Sequence, residues 1–280
     1  MLIAVVPNQA KTENDTLVRT VAERLAQLGA NVRVVCAEGN LPTMAQLTNA
    51  LDGCDMAIAI GGDGTIVHVA KAAAAMGCPV LGINGGHLGF LAGLEADELD
   101  ALPALLSGDY TVDERALLEV TLHTEQGAAT RYAMNEAVIS RGGLSRLVDV
   151  VVHADGGEVL SCRGDGVIIA TPTGSTAYSL SAGGPVVDPS VDCVLLTPVC
   201  PHSLDSRPRI WPATVTLTAE ATAADGEPAY VTVDGEESMP LPSNATLTIR
   251  RAEKSVRLLQ LRCDTFYERL RRKLSTRVSQ

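Results

Sequence analysis

The chain has 280 residues, 46% of them apolar, enough for two domains that each bury a core. Acidic residues outnumber basic ones 33 to 22, a formal net charge of −11. General binding of nucleic acid or of an anionic membrane is therefore disfavoured, and any anionic ligand must be met by local cations, backbone amides or a metal.

Leu2 to Val6 is an apolar run closed by Pro7-Asn8 and reads as a first strand. Leu17, Val18, Val21, Leu25 and Leu28 follow at helical spacing, with Gly29 where a terminating glycine belongs. Val32 to Cys36 is a second strand, and a short helix around Ala45–Leu51 leads to a third, Asp55 to Ile60. That strand runs into Gly61-Gly-Asp-Gly-Thr65, and an apolar-periodic helix begins at Thr65. Three glycines and one carboxylate thus sit where a strand feeds a helix. In an open α/β sheet this is the crevice at the carboxyl ends of the strands, where ligands bind. Glycine lets phosphates approach the backbone amides, and the helix N-terminus behind them favours anions.

The loop is not a Walker A motif, which needs a Lys-Ser/Thr pair after its last glycine, and it is not Gly-x-Gly-x-x-Gly. Asp63 would repel a phosphate unless it binds a metal or takes a proton from a hydroxyl beside that phosphate. The ordinary alternative is a tight turn with Asp63 as the helix N-cap. Pro79 to Ile83 is a further strand, ending in a second glycine-rich loop, Asn84-Gly-Gly-His-Leu-Gly-Phe90, at the same end of the sheet. Strands alternating with helices imply a parallel sheet covered on both faces. Asp97 to Leu106 is the last helix of this half, with Pro103 near its start or kinking it.

From about Tyr110 the rhythm changes to many short strands with turn signals, as in a β-sandwich or similar β-rich domain. The segments are Leu118–His123, Arg131–Ser140, the hairpin of Leu147–His153 with Glu158–Cys162, Val167–Ala170, Val194–Leu196, Thr214–Thr218, Ala229–Val233 and Ala245–Ile249. Asn135-Glu136 falls inside the strand Arg131–Ser140, so one of the pair faces the core or a cleft. An amide and an acid there suit ribose hydroxyls or a base edge; solvated residues of an edge strand would look the same. Arg163 to Pro185 is crowded with small hydroxyls and glycines around Tyr178, one of eight aromatic residues. It suits hydrogen bonding to a polar ligand, or is a loop without one. Arg146 and Arg163 are candidate anion partners or surface ion pairs. His68 is a candidate ligand contact or an ordinary histidine on a helix face. Thr265-x-x-Glu268 offers a capping box for a last helix with Phe266, Leu270 and Leu274 on one face.

Seven cysteines, without Cys-x-x-Cys spacing, read as reduced thiols of a cytosolic protein. The five histidines form no His-x-x-x-His pair, so a permanent transition-metal site is not expected. No apolar run has the length of a membrane span and no charged-then-apolar leader is present, so neither membrane segment nor signal peptide is expected.

Taken together, Gly61–Thr65, Gly82–Leu91, Asn135-Glu136, Gly164–Pro185 and Thr197-Pro-Val-Cys-Pro-His-Ser-Leu204 resemble, in order and over nearly the whole chain, the NAD kinases of bacteria. The Gly-Gly-Asp-Gly-Thr motif alone is shared with diacylglycerol-type lipid kinases; the Asp165–Pro185 segment makes the resemblance specific. The resemblance implies transfer of the ATP γ-phosphoryl group to the 2′-hydroxyl of the adenosine ribose of NAD, giving NADP. It implies that Asp63 is the proton acceptor. Asp63, Gly64, His68, Asn135, Glu136, Arg146, Arg163, Asp165, Thr176, Ala177, Tyr178, Ser179, Leu180 and Ser181 match its nucleotide-binding positions. It implies a divalent cation, usually Mg²⁺, carried by ATP, no tightly bound organic cofactor, and a cytoplasmic homodimer or homotetramer whose active sites form between domains and subunits.

The expected layout is an α/β nucleotide-binding domain at 1–110, a β-rich NAD-binding domain at 111–250, and a segment 251–280 returning to the first domain or an interface. Two departures stand out: Asp234-Gly-Glu236 where the family often has Asp-Gly-Gln, and Gly85-Gly86 where a bulkier residue is common. A related kinase acting on a lipid or sugar would want a basic amphipathic helix, which is absent. A non-catalytic dinucleotide sensor would have no need of Asp63.

Overall fold

The structure is a computed structural model that describes residues 1–8, 13–36, 41–85, 89–142, 147–203, 206–223, 227–262 and 264–276. The chain forms two compact units, Met1–Arg115 with Lys254–Gln280, and Ala116–Glu253.

In the first unit, strands and helices alternate: β1 (Leu2–Pro7), α1 (Glu13–Gln27), β2 (Asn31–Val34), α2 (Met44–Leu51), β3 (Met56–Ile60), α3 (Asp63–Met76), β4 (Val80–Asn84) and β5 (Leu94–Glu95). One turn of 3-10 helix then leads into α4 (Leu102–Ser107). Pro103 lies in the first turn of α4, where its missing N–H costs nothing, so the helix is not kinked. The strands are parallel in the order β2-β1-β3-β4-β5. β3 and β4 are buried at every residue, which is why they read as unbroken apolar runs rather than alternating ones. Ile3, Val5, Ile58, Ile60, Leu81 and Ile83 form the centre of this core.

The chain passes between the units within β6 (Thr111–Thr124) and within β17 (Thr246–Gln260). Between these lie β7 (Gly127–Ala133), β8 (Glu136–Ser140), β9 (Val148–Ala154), β10 (Gly157–Gly164), β11 (Gly166–Ala170), the short α5 (Tyr178–Ser181), β12 (Cys193–Val199), β13 (Arg209–Pro212), β14 (Leu217–Ala223), β15 (Ala229–Val233) and β16 (Met239–Leu241). In the second unit one antiparallel sheet runs β13-β12-β11-β8-β15-β16; the other runs β10-β9-β14-β17, with β6 also pairing β17 and β7 pairing β6. Their facing residues alternate along each strand: Val148, Val150, Val152, Leu217 and Ala219 on one side, Ala137, Ile139, Val167, Ile169, Val194 and Leu196 on the other.

Several elements differ from the sequence reading: the helix expected from Thr65 begins at Asp63, and the strand expected at Thr214–Thr218 runs over Leu217–Ala223. The expected strand Arg131–Ser140 is two strands in two different sheets, broken at Met134-Asn135. The Asp234 carboxylate accepts hydrogen bonds from the backbone N–H groups of Met134, Asn135 and Glu136 at 2.8, 2.8 and 3.0 Å, which satisfies the amides freed by the switch of sheet. The expected strand Ala245–Ile249 instead extends to Gln260.

The last helix, α6 (Phe266–Thr276), belongs to the first unit. Its capping box is formed: Thr265 N–H donates to Glu268 at 2.8 Å and Glu268 N–H to the Thr265 hydroxyl at 3.3 Å. No helix among the described residues is long and apolar enough to cross a membrane.

Candidate active site

The first cluster is built around Asp63. Gly61 has a φ of +158°, and a Cβ there would meet the Thr65 hydroxyl at 2.6 Å, so the turn after β3 closes tightly only with glycine. Gly62 is the N-cap of α3, and Asp63 opens the helix without capping it. Its carboxylate is instead drawn to the second glycine-rich loop. Phe90 N–H reaches both oxygens at 3.0 Å, Leu91 N–H reaches Oδ1 at 3.2 Å, and the Lys273 ammonium of α6 lies 3.2 Å from Oδ2. A Cβ on Gly89 would overlap Oδ1, so that loop can hold the carboxylate only with glycine at this position.

Two backbone amides and one ammonium thus hold the Asp63 side chain in place at a half-buried position. Such a group can accept a proton from a hydroxyl brought to it. Gly64 is exposed, with open space where a side chain would stand. His68, one turn further along α3, has its Nε2 2.7 Å from the Pro42 carbonyl oxygen, ahead of α2. Gly86, His87 and Leu88 lie outside the described residues.

The second cluster lies where β8 begins and the antiparallel β11 ends, with Ala170 paired to Glu136. Glu136 is buried, and one of its oxygens, Oε2, has no hydrogen-bond partner among the described residues. Burial, then the nearby Asp234 carboxylate, pushes its acid group up to about 7, against the pull of a hydrogen bond from the Tyr178 backbone. Asn135 is half-buried, and its carbonyl accepts from Thr171 N–H at 2.9 Å.

A cavity of about 310 Å³ opens beside these strands, lined by Ser140, Arg141, Asp165, Tyr178 and others. Arg141 Nε sits 2.9 Å from Asp165 Oδ1. Arg141 drew no attention in the sequence. Its signal was the pairing of Ser140 with Gly166 across β8 and β11, which sets it beside Asp165 and is visible only once the register is known. Arg163 is exposed and 3.9 Å from Asp149, and it is not among the residues lining this cavity. Arg146 lies outside the described residues.

The hydroxyl-rich run after β11 is held by its own side chains. Thr171 donates to the Met134 carbonyl at 2.6 Å, the Ser175 hydroxyl bridges the backbone of Val187, and Thr176 donates to the Thr173 carbonyl at 3.1 Å. Ser179 is fully buried and shares a 2.8 Å hydrogen bond with Thr197. Half-buried Thr176, Ala177 and Leu180 and exposed Tyr178 and Ser181 remain at the surface of the segment. The buried hydroxyls fix the loop, so its surface presents an ordered backbone and the Tyr178 ring rather than a row of free hydroxyls.

Comparison with known proteins agrees in both halves. The family models for the ATP-NAD kinase N-terminal and C-terminal domains match residues 3–110 and 134–261. A protein of Symbiobacterium thermophilum named NAD kinase is 43% identical over 278 residues, spanning 97% of this chain and 98% of that protein. A protein of the same name from Lachnoclostridium phytofermentans is 37% identical over 279 residues, with 96% and 97% coverage. Among solved structures, an NAD kinase from Archaeoglobus fulgidus in complex with ATP superposes with a TM-score of 0.75 at 26% identity, covering 98% of each chain. Yeast NADH kinase complexed with NADH shares the fold, with a TM-score of 0.86 at 23% identity over 98% of this chain and 87% of that one. The chain belongs to the ATP-NAD kinase family.

Proposed function

We infer that this chain is an NAD kinase that transfers the γ-phosphoryl group of ATP to the 2′-hydroxyl of the adenosine ribose of NAD, giving NADP and ADP. The observation that carries this reading is Asp63. In a chain of this family, it is a carboxylate at a strand-to-helix turn, held by the Phe90 and Leu91 amides and not used as a helix cap.

In the reaction, the ribose 2′-oxygen forms the new bond to the γ-phosphorus as its proton passes to Asp63. The bond between the γ-phosphorus and the bridging oxygen breaks, and ADP leaves with that electron pair. Gly64 leaves open space beside the carboxylate, and His68 is assigned as a nucleotide contact. Asn135, Glu136, Arg146, Arg163, Asp165 and Thr176 to Ser181 are assigned to the dinucleotide. The orphaned Glu136 oxygen and the cavity beside Asp165 and Tyr178 support that assignment.

Among the described residues no group of three His, Cys, Asp or Glu side chains could cage a metal. The divalent cation, Mg²⁺ by preference, is assigned to the substrate, riding on the ATP phosphates. Residues 1–110 are assigned as the nucleotide-binding domain, 111–250 as the NAD-binding domain, and 251–280 as a segment packing back on the first. A cytoplasmic homodimer or homotetramer completes the proposal.

Asp63→Asn keeps the size of the side chain but cannot take the proton. Turnover of NAD to NADP should fall by about 10²–10⁴-fold while NAD affinity, measured by calorimetry, is retained. Turnover near that of the wild type would remove Asp63 from the proton-accepting role.

A further inference from the structure

We propose that Lys273 is a second catalytic residue, whose ammonium group donates a hydrogen bond to the γ-phosphoryl oxygens during transfer. The inference rests on Asp63 being the proton acceptor. Lys273 Nζ stands 3.2 Å from Asp63 Oδ2 and 4.3 Å from the centre of the Phe90 ring. The attacking hydroxyl must come within about 2.6–3.2 Å of the carboxylate that takes its proton. The phosphorus it attacks lies a further ~3–3.5 Å away. The γ-phosphoryl oxygens are thereby brought within one side-chain swing of the ammonium.

The charge of the transition state is spread over those oxygens, and stabilisation there is the main demand phosphoryl transfer makes on the protein. In a chain with a net charge of −11, a cation already at the reacting carboxylate is well placed to meet it. Lys273 keeps its proton throughout; the hydroxyl proton goes to Asp63 and the leaving electron pair to ADP.

The mounting of Lys273 fits this task. Phe90 is the hinge between the two groups: its N–H holds Asp63, its carbonyl accepts from Arg269 at 3.4 Å, and its ring lies under the ammonium. The Phe266 ring packs against Phe90 with 6.5 Å between centroids. The stem of Lys273 is thus supported on an aromatic face while its head stays half-exposed and able to turn toward a ligand.

The test compares Lys273→Met, which keeps the stem and removes the charge, with Lys273→Arg, which keeps the charge. Both are assayed with MgATP and with ATP carrying sulfur on the γ-phosphorus. Loss of one such donor should lower kcat by about 10²-fold. NAD affinity and melting temperature should hold, and the arginine variant should recover much of the loss. Sulfur is a poorer acceptor than oxygen, so the rate penalty for the thio-nucleotide should shrink in Lys273→Met. Wild-type or higher kcat in Lys273→Met would overturn the proposal, and so would a lowered kcat with an unchanged sulfur penalty, which would make Lys273 a brace for Asp63. Asp63→Asn, run alongside, separates the two readings. If it turns over normally, the proton-acceptor role fails; if it is inactive while Lys273→Met is not, only the role of Lys273 fails.

Discussion

At the scale of single residues, the contrast between Asp63 and Glu136 is instructive. Both are carboxylates next to glycine-rich or hydroxyl-rich loops. Asp63 is surrounded by N–H donors and an ammonium, whereas Glu136 is buried beside a second carboxylate and keeps one oxygen without a partner among the described residues. The acid group of Glu136 rises from the ordinary 4.5 to about 7 because burial disfavours its charge. A native state that holds its proton more tightly than the unfolded chain is favoured fully below the unfolded value. That advantage is lost as pH rises through the native value. The wild-type protein should therefore lose stability between about pH 4.5 and 7 from this one group. Glu136→Gln keeps the acceptor for the Tyr178 N–H and removes the titration. Melting curves across that window should show a shallower decline for the variant; parallel curves would mean that Glu136 is not the group responsible.

At the scale of elements, what could be read in advance follows how local the signal was. The strand-glycine-acid-helix turn at Ile60–Thr65 lies within a few residues, and its position at the carboxyl end of a parallel strand was legible. Lys273 is 210 residues from Asp63 in sequence, and no periodicity could pair them. The break between β7 and β8 was hidden for a similar reason, since the Asp234 carboxylate that accepts from the freed amides is about a hundred residues away. The second half of β17 was hidden by its charges. Arg250 and Arg251 interrupt the apolar alternation, yet each forms an ion pair, with Glu119 and Asp192, that a strand surface accommodates.

The last helix was legible from its capping box, but the expected apolar face carries a buried arginine. Arg269 is 8% exposed, with its charge shared between the Phe90 carbonyl and Gln260. Deleting residues 264–280 would strip Phe90 of its carbonyl donor, its ring neighbour and its cation together. The truncated protein should melt earlier and lose turnover more than it loses NAD affinity. An unchanged melting temperature would show that α6 does not support the first unit.

At the scale of the whole molecule, net charge and local charge act in opposite directions on the same substrate. A chain at −11 repels ATP as it approaches, while the Lys273 ammonium and the amide-rich turn attract it once it arrives. Salt separates the two because they differ in range. The Debye length shrinks from about 30 Å at 0.01 M to about 8 Å at 0.15 M ionic strength. The long-range repulsion is screened over that interval, whereas contacts of hydrogen-bond length lie well inside the screening length and largely persist. The apparent KM for MgATP should therefore fall severalfold as salt is raised from the low end to the physiological range, with kcat little changed. The measurement is a set of NADP-formation curves at fixed free Mg²⁺ and varied NaCl. A KM that rises with salt over the same interval would mean that local cations govern the approach of the nucleotide, and that the acidic surface lies too far from its path to matter.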